Sequence, residues 1–263
     1  MHLKEVTHKV IEIAKEAGAF IREQRKTFSP DKIEFKGLND LVSYVDKTAE
    51  QIIVSALQLV LPEAGFITEE KTINRIGDKY NWIIDPLDGT TNFIHGLPVF
   101  SVSIALQEGD DLVVGVVYEI NQDECFYAWK DSPAYLNGHE IRVTSTPTVD
   151  KCLLATGFPY YDFQKQTAYI ELFAELMRSC HGLRRLGSAA VDLAYTACGR
   201  FDAFYEYNLN AWDVAAGIVI VRQAGGEVVN FKGGNEVLNT RELLATNGKI
   251  TGETLRVIQK YFN

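Results

Sequence analysis

The sequence has no hydrophobic run long enough to cross a membrane. Apolar residues make up 46% of its 263 residues, but no continuous run approaches the roughly 18 residues that a span needs. The first residues, Met1-His2-Leu3-Lys4-Glu5-Val6, also lack the apolar core of a signal peptide. We therefore expect a cytoplasmic protein with no membrane partner.

Cysteine and histidine are scarce. Cys125, Cys152, Cys180 and Cys198 are widely spaced and form no C-x-x-C pair, and a chain of this size does not need disulfides to fold. We predict reduced thiols in the core, which excludes a disulfide framework and a zinc site. His95 has no second metal-binding residue at a ligand offset, so we interpret it as a surface histidine.

Positively charged residues are outnumbered by negatively charged ones. The 26 Lys and Arg residues face 35 Asp and Glu residues, which gives a formal net charge of −9. This balance argues against a nucleic acid or an anionic membrane as partner. The chain has no internal repeat, low-complexity tract or linker, so we expect one domain over 1–263, with halves at about 1–150 and 151–263.

Helical and strand patterns alternate along this domain. Apolar residues at helical spacing predict helices over 3–21, from Asp46 to about 60, over 163–180, between Ser188 and Gly199, from Trp212 to Gly225, and from Thr251. Strand patterns occupy 32–36, 65–70, 99–107, 112–120, 124–129, 152–159, 202–207, 227–230 and 243–245, with a turn at 37–40.

The most informative stretch is 82–93. Trp82-Ile83-Ile84 predicts a short buried strand that ends at Asp85, and Pro86 turns the chain so that Asp88 comes back toward Asp85. Two carboxylates facing one small volume favour a metal cation between them. If a helical turn begins at Gly89, its N–H groups suit an anion. Ordinary turn chemistry, in which an Asp caps its own backbone, is the alternative.

The full run Asp85-Pro86-Leu87-Asp88-Gly89-Thr90-Thr91-Asn92-Phe93 resembles the signature of the inositol monophosphatase family of metal-dependent, lithium-sensitive phosphatases. The resemblance implies an α+β fold, a layered αβαβα sandwich of the type shared with fructose-1,6-bisphosphatase. It also implies a single catalytic domain with its site where the two halves meet.

Further motifs extend the resemblance along the chain. The segment 40–46 looks like the family's first motif, in which the last residue, Asp46, helps to orient water; a helix-capping Asp is the alternative. Glu69 matches a metal ligand after a short strand, although Thr68 stands where relatives have glycine, which implies an ordinary φ below zero. Asp213, in Trp-Asp-x-Ala-Ala, matches the last metal ligand. The helix start Gly187-Ser188-Ala189-Ala190 resembles that of the family's substrate-facing helix.

Residue by residue, the resemblance implies three groups of site residues. The metal ligands would be Glu69, Asp85, Asp88, Asp213 and the backbone carbonyl of Leu87. The catalytic residues would be Asp46, Thr90 and Glu69. The substrate-binding residues would be Gly89, Thr90, Thr91, Ser188, Ala189 and Glu206, where a solvent-facing strand acid is the alternative for Glu206.

These ligands are hard oxygen donors, which select Mg²⁺, or Mn²⁺, over zinc, and they are too many for one Mg²⁺ ion. We therefore expect two or three ions and hydrolysis of a phosphate monoester by metal-activated water. Inositol monophosphate is the preferred substrate by resemblance. Fructose 1,6-bisphosphate, a nucleotide phosphate such as the 2′-phosphate of NADP, and histidinol phosphate stay open. A regulatory binding protein on the same fold is the alternative of another class, and relatives suggest a homodimer.

Overall fold

A computed structural model describes residues 2–29, 33–37, 40–73, 75–158 and 163–262, with the side chains of these residues except those of 33–37 and 40–42. The turn predicted at 37–40 therefore lies partly outside the described residues, as do Lys32 and Pro159 from two predicted strands. Among the described helices, none is both long enough and apolar enough to cross a membrane.

The described part of the chain forms seven α-helices and three sheets. The helices are α1 (Leu3–Thr27), α2 (Tyr44–Val60), α3 (Thr90–His95), α4 (Gln166–Ser179), α5 (Ala189–Ala197), α6 (Ala211–Gln223) and α7 (Thr251–Ile258). A 3₁₀ turn lies at Val149–Lys151. The smallest sheet is an antiparallel pair, β1 (Ile33–Gly37) with β2 (Asp40–Ser43).

The larger main sheet has seven strands in the order β3-β4-β5-β6-β7-β8-β9, and only the β3–β4 pair is parallel. Its strands are β3 (Gly65–Thr68), β4 (Tyr80–Asp88), β5 (Ser101–Glu108), β6 (Asp111–Glu119), β7 (Glu124–Trp129), β8 (Ala134–Leu136) and β9 (His139–Ile141). The antiparallel meander from β5 to β7 was predicted from the hairpin signals; the three-residue strands β8 and β9 were missed.

The second main sheet has five strands in the order β11-β10-β12-β14-β13. They are β10 (Leu153–Thr156), β11 (Gly182–Arg184), β12 (Ala203–Tyr207), β13 (Glu227–Val229) and β14 (Glu242–Thr246). Sequence patterns predicted all of these except β11. The chain leaves the first main sheet at Ile141 and enters the second at Leu153, so the crossing includes the predicted boundary near Asp150.

Side-chain alternation along the strands produces three cores and five layers. Trp82 and Ile84 pack with α1 and α2 on one face of the first main sheet, whereas Ile83 packs on the other face with α5 and α6. Phe204 contacts this same middle layer from the second main sheet, and Tyr205 faces the outer helices α4 and α7. The predicted αβαβα sandwich is therefore confirmed, and α5 and α6 lie between the sheets.

Cysteine placement follows the prediction in part. Cys125 and Cys152 are buried in the core, whereas Cys180 and Cys198 are half-buried, and all four are free thiols.

Candidate functional site

One cavity collects nearly all the residues that the sequence singled out. It lies where β4, the start of α5, the end of β12 and the start of α6 approach one another. The predicted site residues that line it are Glu69, Asp85, Leu87, Asp88, Gly89, Thr90, Thr91, Ser188, Ala189, Glu206 and Asp213. The exception is Asp46.

A β-bulge brings Asp85 and Asp88 to the same side of the sheet. The sequence predicted that the strand ends at Asp85, and this is wrong, because β4 continues to Asp88. Asp85 pairs with Ser103 and Asp88 with Ser101, so three steps on β4 oppose two on β5. In a regular strand, residues three apart face opposite sides. The extra residue lets both carboxylates line the cavity, and a bulge accommodates Pro86, which has no N–H.

Local hydrogen bonds orient two of these carboxylates. The backbone N–H of Leu87 donates to Oδ1 of Asp85 at 2.9 Å. The N–H of Asn210 donates to Oδ2 of Asp213 at 2.7 Å, in the first turn of α6. In each case one oxygen is fixed by the backbone and the second oxygen is not used in that bond. This arrangement resembles the outer support of metal ligands in proteins.

Asp88 connects the first main sheet to α5. Its Oδ2 accepts hydrogen bonds from Oγ of Ser188 at 2.5 Å and from the N–H of Ala190 at 2.7 Å. Ser188 is also the N-cap of α5, since its Oγ accepts from the N–H of Val191 at 3.3 Å. The start of α5 is therefore held directly against the end of β4.

The cavity is strongly acidic. Burial, followed by the charges of Glu69, Asp88 and Asp213, raises the pKa of Asp85 well above its usual range. Burial also raises the pKa of Asp88 to about 6 and that of Asp213 to about 7. Arg185 is the single Lys or Arg among the described residues that line the cavity. Acids that resist ionisation together are stabilised by a cation among them.

The donor chemistry fits divalent cations, because carboxylates and a backbone carbonyl are the hard oxygens that Mg²⁺ prefers. The side chains have not converged into a closed cage: over the described ranges, no group of three or more His, Cys, Asp or Glu residues is arranged as a metal site. Burial first, and then the charges of the neighbouring acids and a hydrogen bond with Glu69, raise the pKa of Asp85.

Asp46 lies behind the cavity wall. It is fully buried, and its Oδ2 accepts from the N–H and Oγ of Ser43 at 2.9 and 2.7 Å, which caps α2. Its Oδ1 accepts from Oγ1 of Thr90 at 2.9 Å. Any part that Asp46 takes in positioning water therefore runs through Thr90. Both interpretations of Asp46, a helix cap and a partner of the site, describe the same side chain.

The predicted phosphate loop follows the bulge. Gly89 has a φ of +95°, a left-handed conformation that favours glycine. Thr90 and Thr91 begin α3, and the first N–H groups of a helix have no partner within that helix. Thr68, which replaces the family's glycine, is an ordinary strand residue of β3, as its predicted φ required.

Glu206 faces the middle layer from β12 and is 7% exposed. Strand alternation places it on the same side as Phe204, so it reaches the cavity instead of solvent. Gly157 makes room for it, since a Cβ there would overlap the Glu206 carboxylate. The alternative of a solvent-facing strand acid is wrong.

Sequence reasoning missed two buried acids beside the site, Glu50 and Asp192. Glu50 is fully buried on α2 and accepts hydrogen bonds from the segment that carries Glu69. Asp192 lines the cavity from α5. The signal in both cases was an acid on the apolar face of a helix, beside Ala49 and Ile53 for Glu50 and within Ala-Ala-Val-Asp-Leu-Ala for Asp192.

Comparisons with known proteins identify the family of this chain. A family model described as the Inositol monophosphatase family matches residues 2–262. Nus factor SuhB of Escherichia coli (strain K12) is 42% identical over 243 residues, which cover 91% of this chain and 90% of that protein. Inositol-1-monophosphatase of Mesorhizobium japonicum is 36% identical over 252 residues, covering 95% of each.

A solved structure shares the fold. The crystal structure of extragenic suppressor protein suhB from Bartonella henselae matches with a TM-score of 0.91 and 38% identity, covering 97% of this chain and 99% of that one. The resemblance predicted from the motifs is confirmed over almost the whole length. This chain belongs to the inositol monophosphatase family.

Proposed function

We propose that this protein is a Mg²⁺-dependent phosphomonoester hydrolase whose preferred substrate is an inositol monophosphate. The observation that carries the proposal is that acids from distant parts of the sequence, Glu69, Asp85 with Asp88, and Asp213, line one cavity together with the loop 89–91. The name of the Mesorhizobium relative, inositol-1-monophosphatase, supports the choice of substrate. The buried Glu206 supports it because a carboxylate can accept hydrogen bonds from ring hydroxyls.

Two or three Mg²⁺ ions, or Mn²⁺, would be held by the carboxylates of Glu69, Asp85, Asp88 and Asp213 and by the carbonyl of Leu87. When bound, such ions supply an acidified water and neutralise charge on the phosphate and the leaving oxygen. The net charge of −9 makes this neutralisation necessary, because the bare cavity would repel a phosphate ester.

Thr90 is the residue that we propose to position the attacking water. Its Oγ1 lies 2.9 Å from Oδ1 of Asp46 and 3.0 Å from the carbonyl oxygen of Leu87. A hydroxyl has a single hydrogen to donate. When Asp46 accepts that hydrogen, the carbonyl of Leu87 is released for an ion, and the lone pairs of Thr90 Oγ1 can accept a hydrogen from water. Asp46 is thus a positioning residue that sets the direction of the Thr90 hydroxyl.

The N–H groups at the start of α3 and the hydroxyl of Thr91 would bind the phosphate oxygens. Ser188 and Ala189 line the cavity at the start of α5 and would contact the alcohol part of the ester together with Glu206. No covalent intermediate with the protein is required, because these residues bind and orient the reactants and a water attacks phosphorus directly.

The test is an assay of phosphate esters with Mg²⁺, combined with a binding measurement. Asp85→Asn and Asp213→Asn should lose Mg²⁺-dependent turnover and also the Mg²⁺-induced rise in melting temperature. An ion whose free concentration is about 100 times its Kd stabilises the folded state by about 2.7 kcal/mol. Asp110→Asn, which changes an exposed acid in the β5–β6 turn, is the matched control. Normal turnover in either site variant would refute the proposal.

The same assay ranks the other esters. Fructose 1,6-bisphosphate, NADP 2′-phosphate and histidinol phosphate would use the same ions and the same loop, so they differ only in how the alcohol part fits. Inositol 1-phosphate should give the highest kcat/KM. A higher value for any other ester would leave the phosphatase proposal intact and change its substrate.

A second candidate function follows from the name of the Escherichia coli relative, Nus factor SuhB. In that role the chain would act as a binding protein on this fold. The retained acids favour the enzyme, and the charge of −9 disfavours direct binding to RNA. Titration of single-stranded RNA at about 50 mM salt, where phosphate contacts are strongest, should give no complex. Tight binding that survives Asp213→Asn would favour the binding role.

The homodimer expected from the resemblance stays a prediction, which sedimentation would test.

A further inference from the structure

A single exposed arginine holds the linker between β12 and α6. Nε of Arg241 donates to the carbonyl oxygen of Leu209 at 3.0 Å, and its Nη2 donates to that of Asn208 at 3.2 Å. The N–H of Leu209 donates in return to the carbonyl oxygen of Arg241 at 3.2 Å. Arg241 is exposed and immediately precedes β14. Three hydrogen bonds therefore join this one residue to two adjacent residues of the linker.

These hydrogen bonds begin where the regular strand pairing ends. The last residue pair of β12 and β14 is Tyr207 with Glu242, so Asn208 and Arg241 are the next residues on the two sides. Both have a left-handed backbone, with φ of +68° and +58°, which costs stability in residues that carry a side chain. Such conformations persist only where the surrounding contacts hold them, and they cluster at functional sites. The guanidinium of Arg241 supplies contacts of this kind, because its donors have fixed directions that a lysine ammonium lacks.

The linker that Arg241 holds is part of the cavity wall. Asn208, Leu209 and Asn210 line the cavity, and the N–H of Asn210 donates to Oδ2 of Asp213 at 2.7 Å. A displacement of the linker would therefore move the donor that orients this carboxylate. Burial is the largest influence on Asp213 and raises its pKa to about 7, while the N–H of Asn210 and the charge of Arg241 oppose that rise. Arg241 thus reaches Asp213 through the linker and through its charge.

We propose that Arg241 is a positioning residue for the cation site, because its hydrogen bonds to Asn208 and Leu209 fix the linker that orients Asp213. This inference rests on the proposed function, in which Asp213 is a Mg²⁺ ligand. It gives an exposed arginine, which no sequence motif singled out, a part in the binding of an ion that it does not contact.

The charge and the hydrogen bonds of Arg241 act on a cation in opposite directions. A positive charge repels Mg²⁺, so removal of the charge alone would strengthen Mg²⁺ binding to ionised acids. Removal of the hydrogen bonds would let the linker occupy other conformations, and only the fraction with Asp213 correctly oriented would bind the ion well, which weakens the observed affinity. The direction of the change in Kd therefore distinguishes a positioning role from an effect of charge.

The experiment compares Arg241→Ala and Arg241→Lys with Arg256→Ala as the matched control. Arg256 is also exposed, and its Nε donates to a backbone carbonyl, that of Gly252 at 3.1 Å, but it lies on α7 and is not among the described residues that line the cavity. Calorimetric titration with Mg²⁺ at pH 8, above the pKa of Asp213, gives the Kd. Hydrogen exchange of 208–213 in metal-free protein reports the mobility of the linker.

Arg241→Ala should raise the Kd for Mg²⁺ about tenfold, as expected for a group that orients a metal ligand, and should speed exchange in 208–213. Arg241→Lys keeps the charge without the fork, so it should raise the Kd by a smaller factor. Arg256→Ala should change neither quantity.

Several results would overturn the inference. A Kd for Arg241→Ala equal to or below that of the wild type would show that the hydrogen bonds do not serve the cation, even if exchange in 208–213 is faster. An equal rise in Kd for Arg256→Ala would show a general effect of losing an arginine. If Arg241→Ala does not fold, Arg241→Lys decides by the same comparison of Kd. If the wild type binds no Mg²⁺, the proposed function fails and this inference fails with it.

Discussion

Oγ1 of Thr68 donates a hydrogen bond of 2.8 Å to Oε1 of Glu50, a fully buried carboxylate on α2. Glu50 also accepts from the N–H of Glu70 at 2.8 Å, and from the N–H and Oγ1 of Thr72 at 2.8 and 2.7 Å. Its hydrogen bonds thus go to both sides of Glu69. Glu50 holds the segment that presents this predicted metal ligand.

We expect Glu50→Gln and Thr68→Val to weaken Mg²⁺ binding although neither residue lines the cavity. A buried donor or acceptor left without its partner costs about 1–3 kcal/mol, and here the loss loosens the loop around Glu69. Hydrogen exchange of 69–72 in metal-free protein and calorimetric titration with Mg²⁺ measure the two effects. Thr68→Ser, which keeps the hydroxyl, is the control. Faster exchange with unchanged Mg²⁺ affinity would contradict a positioning role.

The Thr90 hydroxyl can be tested apart from its methyl group. Thr90→Ala removes the group that lies between Asp46 and the carbonyl of Leu87, and kcat should fall by about 100-fold, within the range for a lost proton-handling group. Thr90→Ser should restore most of the rate. The melting temperature should change little, since Thr90 is only half-buried. Equal rates for the Ala and Ser variants would show that the hydroxyl takes no part.

The metal-free protein should become less stable as the pH rises. Burial raises the pKa of Asp88 to about 6 and that of Asp213 to about 7, whereas in the unfolded chain both titrate near 4. The folded state therefore binds more protons between about pH 4 and 7, and the free energy of unfolding falls through that window. Below pH 4 both states are protonated and the contribution is fully present.

Urea denaturation in EDTA at pH 5 and pH 8 measures this effect. Asp213→Asn removes the contribution of one acid, so its loss of stability between these pH values should be smaller than that of the wild type. Saturating Mg²⁺ should reduce the loss in the wild type, because the ions favour the ionised carboxylates. A wild type and an Asp213→Asn variant with identical pH dependence would show that Asp213 is not strained by burial.

The buried thiols should report unfolding. Burial raises the pKa of Cys125 and of Cys152 to about 12, and the thiolate is the reactive form. Iodoacetamide at pH 8 should leave both unmodified in the folded protein and label them in urea, as read by mass spectrometry. The half-buried Cys180 and Cys198 should react first. Rapid labelling of Cys125 in native buffer would place it outside the core.

Much of the fold followed from local patterns. Apolar spacing found the helices, and turn residues found the hairpins from β5 to β7, because both signals act over a few neighbours. The three-residue strands β8, β9 and β11 were missed, since they are too short to show a period. The five-layer arrangement came from the resemblance, because no local pattern specifies how α5 and α6 pack between two sheets.

The site residues likewise fall into those that the sequence predicted and those that only the structure reveals. Asp85, Asp88 and Asp213 belong to recognisable motifs, and the structure brings them to one cavity. Glu50 and Asp192 carry no motif, and their importance depends on what surrounds them after folding. For Glu50 this is a set of donors from 68–72, and for Asp192 it is the cavity that α5 borders. The bulge that aligns Asp85 with Asp88 is likewise a property of the β4–β5 register, which the strand's own sequence did not reveal.

The carboxylate of Asp88 belongs to two neighbourhoods at once. Its Oδ2 fastens the first turn of α5, while its side chain borders the volume where ions would collect. A change in the position of this carboxylate at the cavity would also change its hydrogen bonds to α5. If cations at this carboxylate change the affinity for a ligand at α5, thermodynamic reciprocity requires that the ligand change the affinity for cations by the same factor. The affinity of a compound that binds only the beginning of α5 would then depend on whether ions are bound, although the compound contacts none of them.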